Sequence, residues 1–206
     1  LYFYKPISMK RINLILYFLV YTLLNSCTPN EPIKIKQIES DEMVTIFKNV
    51  KNGPDQNDSI SLTVPIEFRL IVNESKVKGL SLYYFVDKKL LSDHLFDYQV
   101  YNKNNKRKPI YSLEPYFEYN PLNIIIKERN HLISKDDANI LLKKYNIKQS
   151  LNNLKIGDTI KLIPFNQLIK ENKKILEELN KIDDSIFFRI TLNKGEVSVI
   201  KQKINW

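Results

Sequence analysis

The stretch ISLTVPIEFRLIV, Ile60 to Val72, constrains the fold more than any other. Ile60, Leu62, Val64, Ile66, Phe68, Leu70 and Val72 alternate with Ser61, Thr63, Pro65, Glu67 and Arg69. Side chains of an extended chain point to opposite faces in turn, so this period predicts a strand with one buried and one wet face. Pro65 has no N–H to give to a ladder and marks an edge or a bulge. The cluster KNGPDQNDS before it reads as a turn, and Met43 to Val50 as the preceding strand.

The rest of the chain follows the same grammar. Leu80, Leu82, Tyr84 and Val86 alternate again, and VNESKVKG before them is compatible with a hairpin connection. YQVYNKNNKRKP reads as a polar basic loop, and Tyr111 to Lys127 as strand-like, strongest at Ile124–Ile126. In SKDDANILLKKYNI, Ser134 and Asp137 form a weaker relative of the capping box, with Ala138, Leu141, Leu142 and Tyr145 on one helical face. IGDTIKLIPF is a short strand. NQLIKENKKILEELNKI places Leu168, Ile169, Asn172, Ile175, Leu176, Leu179 and Ile182 on one side of a helix that Asn166 would cap. SIFFRITL and EVSVIKQKI, joined through Asn193-Lys194-Gly195, predict a hairpin. The expected fold is α+β: mainly antiparallel β, sandwich-like, with two helices near 135–146 and 166–181. One domain over 41–206 is expected, since no linker near residue 130 separates a second.

The chain also carries an export signature. Lys10-Arg11 precede the thirteen-residue apolar run Ile12–Leu24, too short for a bilayer span of about 20 residues and right for a signal-peptide core of about 7–15. The run ends Leu24-Asn25-Ser26-Cys27, at the only cysteine of the chain. This resembles the lipobox of bacterial lipoproteins, with Asn25 off the commonest choice. The resemblance implies that Cys27 takes a diacylglycerol thioether, that the signal is cut before it, and that palmitate-like acyl chains anchor the new terminus. Two chains anchor stably where one is marginal. Residues 1–26 are thus expected to be an upstream extension plus signal, with Met9 as the better start, and 27–40 a flexible tether. Thr28 is not the aspartate that holds many such proteins at the inner membrane. By resemblance the outer membrane, facing the periplasm, is expected; surface display stays open.

Composition narrows the function classes. A charged fraction of 27% with mean hydropathy −0.32 does not suit an integral membrane protein. The net charge is +9. Lys5, Lys10 and Arg11 precede Cys27; without them 29 of the 32 bases face 23 acids, a charge of +6. That excess favours weak attraction to polyanions without naming one. One cysteine allows no internal disulfide.

No motif for catalysis emerges. His94, in LLSDHLFD with Asp93 and Asp97, lacks the second fixed-spacing ligand a zinc site needs, and His131 stands alone. Ser198-Val-Ile-Lys201 matches Ser-x-x-Lys but lies in a predicted strand without companion motifs. DQNDS lacks the glycine and terminal glutamate of a calcium loop. No glycine-rich phosphate loop exists, and neither cofactor nor metal is expected. The segment 98–119 is richer: Lys103, Lys106, Arg107 and Lys108 interleave with Tyr98, Tyr101, Tyr111, Tyr116, Phe117 and Tyr119. Bases among aromatics compose sites for single-stranded nucleic acid or glycans. Export disfavours nucleic acid, and core-edge tyrosines beside a solvated loop are the plainer account.

The expectation is therefore a non-enzymatic, membrane-anchored envelope lipoprotein, a binding or structural module whose partner, an envelope protein or a glycan, the sequence does not name. The alternatives are a glycan- or polyanion-binding module using Tyr98, Tyr101, Lys106, Arg107, Lys108, Tyr116, Phe117 and Tyr119, or an envelope hydrolase assembled from Asp93, His94 and His131.

Overall fold

The computed structural model describes residues 31–48, 58–91 and 97–206. Cys27, Asp93 and His94, most of the KNGPDQNDS turn and the signal lie outside the described residues. Pro32–Trp206 forms one compact unit.

The order is β1 (Ile33–Ile38), β2 (Met43–Phe47), β3 (Ser59–Val72), β4 (Val77–Val86), β5 (Lys89–Leu90), β6 (Tyr98–Asn102), β7 (Leu122–Ser134), α1 (Lys135–Lys144), β8 (Thr159–Pro164), α2 (Phe165–Glu171), α3 (Lys173–Asn180), β9 (Ser185–Leu192) and β10 (Val197–Lys203). The strands make two sheets. One runs β6-β7-β3-β2-β8, with β1 also on β3; the other runs β10-β9-β4-β5. Among the described residues the strand pairings within them are antiparallel. The α+β, sandwich-like expectation matches this architecture.

The long strands β3 and β7 give the molecule two halves. Their outer ends, with Phe68, Leu70, Ile124 and Ile126, pack against Leu80, Tyr84, Ile186 and Phe188 of the second sheet. Phe68 and Phe188 meet edge-on at 5.6 Å. The other ends, with Ile60, Leu62 and Val64, pack with Val44, Ile46 and Ile160 against Ala138, Leu141, Leu142, Leu168 and Leu179 of the helices. Trp206 touches both clusters.

Several expectations need correction. β3 has no wet face over most of its length: Ser61, Thr63, Pro65 and Glu67 are buried, and only Arg69 and Ile71 of that face are exposed. Pro65 does mark an irregularity, for β1 pairs Glu67–Val72 and β2 pairs Ser61–Thr63, leaving 64–66 between them. β3 and β4 are not a hairpin; the connection carries the chain from one sheet to the other. Tyr98–Asn102 is a strand and not loop, while 111–121 holds no strand. The expected tether 27–40 gives way to β1 from Ile33, held by β3.

The helices divide similarly. Ser134 caps α1 as expected, its side chain accepting from the Asp137 N–H at 3.0 Å. The single helix expected near 166–181 is two, α2 and α3, broken at Asn172. The Asn172 amide donates to the Tyr145 hydroxyl at 2.5 Å and the Leu168 carbonyl at 2.9 Å, and its oxygen accepts from Lys144 at 2.9 Å. A short amide side chain that competes for backbone groups ends a helix. Pro164, not Asn166, stands at the N-cap of α2. The β9–β10 hairpin forms as expected, with Gly195 at φ 85. Among the described residues no helix is long and apolar enough to cross a membrane.

Candidate functional site

Directly paired residues of an antiparallel sheet point to the same face. The pairs Pro65–Lys127, Glu67–Ile125, Gln99–Lys127, Tyr101–Ile125, Phe47–Ser61 and Thr45–Lys161 therefore put all these side chains on the outer face of the larger sheet. This face is covered by long side chains that lie down across it. Lys127 Nζ sits 5.1 Å from the centre of the Tyr101 ring, and the Arg129 guanidinium 4.5 Å from that of Phe47. Arg129 donates to Gln99 Oε1 at 2.6 Å, and Tyr101 donates to the same oxygen at 2.6 Å.

The face is cationic. Lys103 bridges buried Glu67 at 2.8 Å and Asp41 at 3.0 Å, and Lys106 pairs with Glu42. With Lys127, Arg129 and Lys161, five cations stand against three carboxylates. Burial depresses the Lys127 pKa, and Lys106, Arg129 and Lys161 push it the same way against the pull of Glu42. Burial likewise raises the Tyr101 hydroxyl, opposed by Arg129. Lys103 runs the other way: burial lowers it, but the bonds to Glu67 and Asp41 hold it above the ordinary lysine range. Cations crowded on aromatic rings beside a hydrogen-bonding amide can accept an anionic group and stack a ring at once.

The Tyr/Lys segment contributes only in part. Tyr101 and Lys106 belong to this face, and exposed Tyr111 is close enough to Tyr101 to act on its hydroxyl. Arg107 and Lys108 are exposed on the loop beyond Lys106. Tyr98 and Phe117 correct the expectation. They are buried in the sandwich core, where Tyr98 lies 5.7 Å from Tyr84, so neither ring is offered to a ligand. Tyr116 is half-buried against the same core and Tyr119 is half-exposed. The sheet supplies instead Phe47, Lys127, Arg129 and Lys161. A charged triplet, Lys127-Glu128-Arg129, inside an apolar strand was the sequence signal for two of them.

A second polar constellation lies at the seam between the two cores. His131 Nε2 is 2.8 Å from Glu128 Oε2 and 3.8 Å from Asp184 Oδ2. Both carboxylates are fully buried and His131 is 6% exposed. Tyr84, also buried, donates to Asp184 Oδ2 at 3.5 Å. Burial, with Glu128 and Asp87 nearby, pushes Asp184 up to about 7 against the opposing pull of His131 and Tyr84. Burial lowers His131, but Glu128 and Asp184 outweigh it and leave the imidazole above its usual pKa. His131 also reaches the floor of a groove of about 810 Å³ between α1 and α3, whose walls include Asp137, Ile140, Lys174 and Ile182.

His131 thus meets two carboxylates, Glu128 and Asp184, while Asp93 and His94 of the expected hydrolase set lie outside the described residues. Ser198 and Lys201 pair with Ile190 and Phe187, an odd spacing that places them on opposite faces of β10. Among the described residues no group of His, Cys, Asp and Glu is arranged to hold a metal ion. Compared with protein family models, curated proteins and solved structures, the chain matches none.

Proposed function

We propose that this chain is a lipid-tethered binding module of the bacterial envelope whose working surface is the outer face of the larger sheet. Its ligand is an anionic glycan, and it acts by binding, without catalysis. The observation that carries the reading is Lys127 laid over Tyr101 among Lys106, Arg129 and Lys161, at a depressed pKa. Cations held this close repel one another, and a sulfate or carboxylate brought among them relieves the repulsion. The flat ring of Tyr101 and the amide of Gln99 suit the faces and hydroxyls of a sugar.

Lipid anchoring rests on the resemblance of Leu24-Asn25-Ser26-Cys27 to a lipobox. It would place the module where envelope polysaccharides lie and nucleic acid does not. A tethered module needs little affinity per site, because many copies on one membrane meet one long polymer.

The test uses the full chain in mild detergent, titrated with fluorescent dextran sulfate and with neutral dextran. The reading predicts saturable binding to the sulfated polymer that weakens as salt rises, and none to the neutral one. Failure to bind dextran sulfate, or equal binding to both, contradicts it.

A further inference from the structure

The Glu128–His131–Asp184 cluster is costly to build. Two carboxylates and an imidazole are withdrawn from water at the seam of two apolar cores, and ionised groups in such a place need compensating charge. An imidazolium can balance one carboxylate, not two. The cluster must therefore hold a further proton or carry a net negative charge, and His131 and Asp184 each respond to the charge of the other. Those groups come from separate elements: Glu128 and His131 from β7, Asp184 from the entry to β9. Tyr84 faces them from β4 and Asp87 from the turn after it.

The closing segment of the chain rests on this unit. The Ile204 N–H donates to the Asp184 carbonyl at 3.0 Å. Asn205 and the Gln37 side chain exchange two bonds, at 2.7 and 3.0 Å. Trp206 then turns its ring edge-on to His131, 5.1 Å between centres at 87°, and packs against Phe165 at 6.2 Å. Trp206 Nε1 is buried with no hydrogen-bond partner among the described residues. The ring is thus kept in place by apolar contact and by the imidazole, not by a polar bond of its own.

We propose that the Glu128–His131–Asp184 cluster is a proton-operated latch that fixes the 204–206 segment over the seam between the two cores. With its protons the cluster is balanced, His131 stays drawn to its carboxylates, and Trp206 is seated on it. On losing them the carboxylates repel and draw water inward, and the Trp206 seat on His131 loosens. The proposal is independent of the glycan reading, since the cluster sits on the core side of β7 and the cationic face on the other.

Trp206 is the only tryptophan in the chain, so its fluorescence reports the latch directly. Emission and acrylamide quenching are followed between about pH 6 and about pH 8, where histidine and the raised aspartate change charge. The latch predicts a red shift and rising quencher access as pH increases, with far-UV circular dichroism unchanged. Asp184→Asn, which cannot ionise, keeps the blue-shifted, protected state throughout. Wild-type emission that ignores pH, or an unaltered transition in Asp184→Asn, overturns the proposal. Should the variant not fold, hydrogen exchange of the wild type, corrected for its intrinsic pH dependence, decides. Faster exchange at 204–206 at the higher pH is expected, and equal protection refutes the latch.

Discussion

The ring of Trp206 stands edge-on to the imidazole of His131, which is itself 2.8 Å from the Glu128 carboxylate. The last residue of the sequence therefore reads the charge of a group buried in a strand 75 positions earlier. This arrangement ties the stability of the whole domain to pH.

The sign follows from the two shifts. His131 is raised in the fold, so its contribution is complete below its unfolded value of about 6.5 and is lost as pH rises through the folded value. Asp184, raised from 3.8 to about 7, opposes folding increasingly as pH rises above its unfolded value, and that cost levels off above about 7. Thermal unfolding is expected to give a higher Tm at about pH 6 than at about pH 8. Asp184→Asn should narrow the difference. An increase of Tm from pH 6 to pH 8 would contradict the assignment.

The break between α2 and α3 is specified by one side chain. Asn172 links Tyr145, the Leu168 carbonyl and Lys144. Asn172→Ala removes these bonds from a half-buried site and should cost about 1–3 kcal/mol in urea unfolding. A neutral result would mean that packing alone sets the break.

Phe68 and Phe188 join the two sheets. Either residue changed to Ala should cost about 3–5 kcal/mol. A double-mutant cycle should return a coupling of about 0.5–1.5 kcal/mol beyond the lost area. Simple additivity would show that the rings do not interact as the geometry implies.

Cys27→Ser should abolish incorporation of labelled palmitate when the chain is expressed in a bacterium. Undiminished labelling would refute the lipid anchor and with it the compartment.

How far these features could be seen in the sequence depended on how local their cause is. The alternations of β3 and β4, the Ser134 cap and the Gly195 hairpin are set by neighbours a few residues apart, and they were legible. The burial of Thr63 and Glu67 was not. It depends on partners distant in sequence: Lys103, in the turn after β6, reaches Glu67, and Thr45 of β2 lies beside Thr63. β1 was hidden because Lys34 and Lys36 alternate with Ile33 and Ile35 in a short, charged stretch beside two prolines. Its partner strand, not its composition, decides its state. Asn172 fits a helical face by spacing and breaks the helix through tertiary bonds. The cationic face was half visible: the 98–119 segment pointed to Tyr101 and Lys106, whereas Lys127 and Lys161 join them through register and Arg129 through its bond to Gln99. Asp184 comes to His131 from the entry to a strand of the other sheet, a contact no local pattern shows.

The central claim is that the outer face of the larger sheet binds an anionic polymer through its cations. It is tested most directly by Lys127→Glu/Lys161→Glu, compared with Lys194→Glu/Lys203→Glu on the β9–β10 hairpin of the other sheet. Both pairs change the net charge equally, and circular dichroism checks that each variant folds. In the dextran sulfate titration, the account predicts that the first pair weakens binding by about tenfold or more, 1.4 kcal/mol, and that the second leaves it nearly unchanged. Equal loss in the two variants would show that net charge, not this face, attracts the polymer, and would contradict the account.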